Sequence, residues 1–186
     1  MTIVDSPART APALRRLYFV RFAFAVVWAA LLFLTAKSHL GPIGVVLVVA
    51  YPLFDVAAAV VDARSSRATG LYVNIAISLL AGIGLGIASA SGVPAVLRVW
   101  GAWAIVAGLV QLIVAIGRRK MGGQWPMILS GGISVLAGAN FVISAAAPNP
   151  SLANVAGYAV LGGIFFLVSA IRLGTKDSGN ADVRPQ

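Results

Sequence analysis

The sequence predicts an all-α polytopic membrane protein, with six transmembrane helices laid out as three tandem hairpins in approximate pseudo-threefold symmetry. Three observations predict it. Hydrophobic side chains make up 60% of the 186 residues and charged ones only 10%, with a mean hydropathy of +0.95, which leaves too little polar surface to cover a water-soluble globule. Six runs nearly free of charge each reach the roughly 20 residues that a helix needs to cross a hydrocarbon core about 30 Å thick. One pattern also occurs three times: an apolar run, a short gap poor in charge, a second apolar run carrying an aromatic, then a basic stop.

The first run, Leu17 to Thr35, follows Arg15 and Arg16 and contains Arg21. That interruption, and its place as the first half of the first hairpin, argue against a cleaved leader. The second run, Gly41 to Val61, opens at Pro42, where a missing amide costs nothing. Its Pro52 stands at mid-span and frees the carbonyl of Val48, which predicts a kink and makes Pro52 a candidate hinge. The third run, Gly70 to Ala90, is glycine-rich, and the fourth, Val99 to Gly117, ends on Arg118, Arg119 and Lys120. The fifth, Gln124 to Ala145, opens on Trp125 and Pro126, which places Trp125 as an anchor at the membrane interface. The sixth runs from Leu152 to Ile171. Continuous rather than alternating apolarity excludes a transmembrane barrel, and lipid offers backbone amides no partners, so each run is read as helix. The membrane domain is then 17–173, with hairpins at about 17–64, 69–118 and 122–173, between polar tails at 1–16 and 174–186 that are expected to be flexible and cytoplasmic.

A net charge of +9 would point to nucleic acid in a soluble protein. Here the positions matter more than the total. Eleven of the fourteen Lys and Arg residues fall in the two tails and in the gaps after the second and fourth runs, against two, Lys37 and Arg98, on the other side. The positive-inside rule therefore puts both termini in the cytoplasm. The basic clusters read as topology signals with an attraction to anionic inner-leaflet lipids, and no nucleic-acid partner is expected.

Tyr51, Trp103 and Tyr158 in the even runs recur 52 and then 55 residues apart, and "ISLLAG" from Ile77 matches "ISVLAG" from Ile133. In that register Arg21, Asn74 and Ser130 correspond. Copies of two spans each keep one orientation, hence an axis along the membrane normal. Association in lipid relies on close backbone approach, so Gly82, Gly108, Gly138 and Gly163 are assigned to helix packing. The same small-residue faces leave a second copy or another membrane protein open as a partner, beside the bilayer itself.

Arg21, Asp55 and Asp62 are the charged residues inside the spans that call for partners, because a charge at mid-bilayer costs about 2.5–3.5 kcal/mol on insertion scales. Arg21 can reach either carboxylate on the neighbouring antiparallel helix. The three form either a structural ion pair or part of an ion pathway. The uncharged polar residues Asn74, Gln111, Ser130, Ser134 and Asn140 read as interhelical hydrogen-bonding groups. With no cysteine and His39 as the lone histidine, neither a metal cluster nor a hydrolytic triad can be assembled. No cofactor, metal or enzymatic activity is expected.

The stretch "RVWGAWAIVAGLVQLIVAIGRRKMGGQWPMILSGGISVLAG", from Arg98 to Gly138, resembles the HdeD-like membrane proteins. The marks are the aromatic, glycine-rich even run ending at Arg118 and Arg119, the "GGQWPM" segment from Gly122 to Met127, and the three-hairpin arrangement. The resemblance covers about Leu17 to Leu173. It implies six spans in a bacterial inner membrane and, for some relatives, a link to acid and stress resistance; it carries over no catalytic residues. The expected function is that of a non-enzymatic integral membrane protein. A small transporter or channel for protons, ions or a small solute is the alternative, and would need a wet polar path past Arg21 and the two carboxylates.

Overall fold

The computed structural model describes residues 7–35, 40–65, 69–117 and 125–181. They form α1 (Pro7–Thr35), α2 (Pro42–Ser65), α3 (Thr69–Ser89), α4 (Val93–Gly117), α5 (Trp125–Ser144) and α6 (Ala153–Ala181), with no strand among the described residues. Lys37, His39, Arg67, the basic stop Arg118 to Lys120 with its sequel to Gln124, and Arg184 lie outside them.

Each of the six helices is long and apolar enough to cross a bilayer. Their outward faces agree: Ile87, Ile113, Leu136 and Ile143 are each more than 70% exposed. Water would penalise such a surface and hydrocarbon does not. The chain is a multi-pass membrane protein.

Helix boundaries depart from the expected spans at three places. α4 begins at Val93, two turns before Val99. The cause lies in the three-residue link after α3, where Gly92 adopts a φ of 82°. Only glycine takes that left-handed conformation without strain, so the chain reverses at once. Val93, Val96 and Leu97 are then buried. Arg98 consequently sits on an exposed face of α4 rather than in a connection. Helix also extends past the expected spans at both ends, over 7–16 and 174–181. At 29 residues apiece, α1 and α6 are about 43 Å long against a hydrocarbon core of about 30 Å, so both project past it. In α1, Pro7 fits the first helical position and Ala, Arg and Leu are strong helix formers, which together outweigh the cost of Pro12 inside the helix. The composition of α6 beyond Gly174 offers no such reason.

The closest helix pairs are α4 with α5, α1 with α6 and α2 with α3; within a hairpin α3 and α4 lie nearer than α1 and α2, and α5 and α6 scarcely touch. Glycine explains the first pair. A Cβ added at Gly101 would lie 2.6 Å from the Gly138 carbonyl, and one at Gly108 would lie 2.7 Å from that of Gly131. The two backbones thus touch twice, two turns apart, with no room for a methyl group. Gly82 packs on Leu53 and Pro52 of α2, and Gly163 faces Ala25 and Phe22 of α1.

Large side chains fill the half of the bundle away from the termini, where Trp28, Leu32, Val48, Leu85, Leu97 and Trp100 are all buried. The half near the termini is sealed by small ones instead, among them Ala58, Ala59, Ala115 and Ala170. α2 runs unbroken through Pro52, whose ring is buried. Beside the Val48 carbonyl that this proline leaves without an amide partner, the carbonyl of Leu47 accepts a 2.7 Å hydrogen bond from the Trp28 indole. A side chain from a neighbouring helix thus supports the backbone next to the missing hydrogen bond.

Candidate functional site

The charged residues meet where α1, α2 and α3 come together. Arg21 and Asp55 form an ion pair between side chains that are each 14% exposed. The second carboxylate oxygen of Asp55 accepts from Asn74 Nδ2 at 2.7 Å and from Ser78 Oγ at 2.9 Å. Asn74 and Ser78 stand four residues apart on α3, so they project from one face, one above the other. The indole of Trp103 donates to Ser78 Oγ at 3.3 Å, which carries the network to α4. On the other side the guanidinium of Arg21 lies 4.0 Å from the ring centroid of Phe166 on α6, within cation–π range. Five of the six helices supply a group.

Depth makes this costly and therefore informative. Asp55 lies two residues from the middle of the apolar span Pro42–Arg64, and unpaired charges there are expelled or neutralised. Every oxygen of the carboxylate has a donor, and the guanidinium has a carboxylate and an aromatic face. Charge-assisted hydrogen bonds in a poorly solvated site are the strong kind. Asp62 sits two turns nearer the helix end and makes no ion pair among the described residues. Of the two carboxylates within reach of Arg21, Asp55 is the partner.

Directly beyond the network the bundle closes. Tyr51 packs on Trp28, Trp100 and Trp103 with ring centroids 4.6, 5.6 and 6.2 Å away, and Trp28 stacks on Trp100 at 5.4 Å. Behind that layer Leu32, Val48, Leu85 and Leu97 have essentially no exposure. The polar corner therefore abuts an aromatic wall and then an aliphatic one. A second, smaller polar contact lies between α5 and α6: Tyr158 donates to Ser134 Oγ at 2.9 Å, and Ser134 in turn donates to the carbonyl of Ser130.

The other residues singled out by sequence take simpler positions. Trp125 is the first residue of α5 and is 78% exposed. Gly82, Gly108, Gly138 and Gly163 all lie on helix contacts. Pro52 packs over Gly82. Sequence reasoning missed Ser78, Trp103 and Phe166 as members of the charged network. A signal for Ser78 existed, since it matches Ser134 in the repeated "ISLLAG" and "ISVLAG" segments, and both serines accept from the aromatic of their own hairpin. Comparison of the chain with family models, with curated proteins and with solved structures returns no match.

Proposed function

We propose that the protein is a non-enzymatic structural component of a bacterial inner membrane, with both termini cytoplasmic, in which the Arg21–Asp55 network locks helices together rather than conducting ions. The observation that carries this reading is the wall of Trp28, Tyr51, Trp100 and Trp103 set directly behind a fully satisfied carboxylate. An ion or proton leaving Asp55 toward the far face would have to break that packing, and an ion path needs water or exchangeable groups along its length.

Three like-oriented hairpins around an axis along the membrane normal fit this role. The reading is supported by Trp103 to Ser78 and Tyr158 to Ser134, which join register-equivalent positions in two hairpins. It is also supported by the pairing of each even helix with an odd helix of a different hairpin. In the first hairpin Ala25 stands at the serine position, and the polar role passes to Arg21 and Asp55 instead. The resemblance to HdeD-like proteins gives the biological setting, tolerance of acid or related stress, met through lipid contacts or association with other membrane proteins.

Proteoliposomes loaded with a pH-sensitive dye test the reading against the transporter or channel alternative. Wild-type vesicles are expected to leak protons and monovalent ions no faster than empty ones. Flux above that background, abolished in both Arg21→Ala and Asp55→Asn while the variants still fold, would replace the structural reading with the conducting one.

A further inference from the structure

The weak contact between α5 and α6 has a shape. Between these two consecutive helices runs a groove of about 320 Å³ with nine lining residues, among them Ile133, Ala137, Asn140, Asn154, Gly157 and Leu161. Its floor is the edge-to-face pair of Phe141 and Tyr158, with centroids 5.7 Å apart, and Tyr158 is tied down by Ser134. Its polarity is graded. Asn140 lies one turn before the end of α5 and Asn154 is the second residue of α6, so both amides stand at headgroup level on the side away from the termini. Ile133, Ala137, Gly157 and Leu161 continue inward from them.

We propose that this groove is a binding site for one acyl chain of a phospholipid from the leaflet away from the termini, with the Asn140 and Asn154 amides hydrogen-bonding the glycerol ester or phosphate region. Dimensions decide the occupant. From Ile133 to Phe141 the groove runs about 12 Å at 1.5 Å per residue, far short of the roughly 30 Å over which a membrane-crossing helix needs a seat. A stretch of one hydrocarbon chain matches that length, and a spanning helix would overrun it. Nine lining residues also fall short of the roughly 20–30 a side in a stable protein interface. None of the lining residues is charged, so the site is built for hydrogen bonding to a lipid rather than for pairing with an anionic headgroup. Inside a bilayer an apolar groove open to the side loses contact energy unless hydrocarbon fills it.

The glycines supply a clean test. A Cβ at Gly157 or at Gly162 would meet nothing within 4 Å, so either position accepts a larger side chain, yet only Gly157 lines the groove. Protein reconstituted in phosphatidylcholine vesicles, extracted, and examined by native mass spectrometry should retain one phosphatidylcholine per chain in the wild type and in Gly162→Leu. Retention should fall at least tenfold in Gly157→Leu. Doxyl-labelled phosphatidylcholine in the same vesicles should lose its immobilised fraction in Gly157→Leu alone. Equal retention in the two variants overturns the proposal. So does a protein dimer that dissociates in Gly157→Leu, which would make the groove a contact between copies.

Discussion

The corner where α1, α2 and α3 meet and the seam between α4 and α5 solve one problem by opposite means. Lipid is as apolar as leucine, so hydrophobic expulsion does not drive helices together within it. At the corner Arg21, Asp55, Asn74 and Ser78 supply directed bonds among charged and polar groups. At the seam Gly101, Gly108, Gly131 and Gly138 supply closeness, with backbone against backbone and no side-chain hydrogen bond between the two helices needed. Polar contacts fix one relative position of three helices because their geometry is exacting. Glycine contacts permit a long, intimate interface at little cost in specific groups. The charged corner is therefore the more fragile of the two to a single deletion, and the seam the more fragile to a single addition.

Deleting the carboxylate should break this contrast most sharply. Asp55→Ala leaves the Arg21 guanidinium buried without its counter-ion, and loss of one partner of a buried pair costs about 3–5 kcal/mol. Titration of the purified protein with sodium dodecyl sulfate in mixed micelles should show a loss of that order. A loss under about 1 kcal/mol would mean that charge does not hold the corner. Gly108→Ala drives a methyl group to within 2.7 Å of the Gly131 carbonyl and should cost about 1–3 kcal/mol as overpacking. Gly163→Ala meets nothing nearer than the Ala25 methyl at 3.1 Å, with Phe22 at 3.5 Å, and should cost less in the same titration; equal losses would show that the seam is not unusually tight. Ser134→Ala removes the acceptor of the Tyr158 hydroxyl, a step of about 0.6–2 kcal/mol for an interhelical hydrogen bond in a membrane. Gly162→Ala, with open space around it, should stay within about 0.5 kcal/mol of wild type and serves as the baseline for the series.

Much of the site was legible before any fold was in view. Charge inside an apolar run announces itself, so Arg21 and Asp55 stood out, and glycines on apolar runs announce helix contacts. The partner of Arg21 did not announce itself. Asp55 and Asp62 are seven residues apart and lie on nearly the same face of α2, so helical periodicity cannot choose between them. Ser78 and Trp103 were hidden for a related reason: serine and tryptophan are ordinary in such runs, and only the approach of α3 and α4 to Asp55 turns them into partners. The α5–α6 groove had no signature at all, because an opening between helices is a property of two faces and not of either run.

Six apolar helices long enough to cross follow from the sequence by itself, because a crossing needs only a local count of consecutive apolar residues and the backbone satisfies its own hydrogen bonds within each one. The choice of Asp55 over Asp62, the contact of α4 with α5 rather than of α5 with α6, and the groove left beside Tyr158 were decided only in the tertiary structure. Each depends on how near one helix comes to another. In lipid that nearness is set by small residues on two facing surfaces and by polar groups meeting at one depth, which no single run of residues contains.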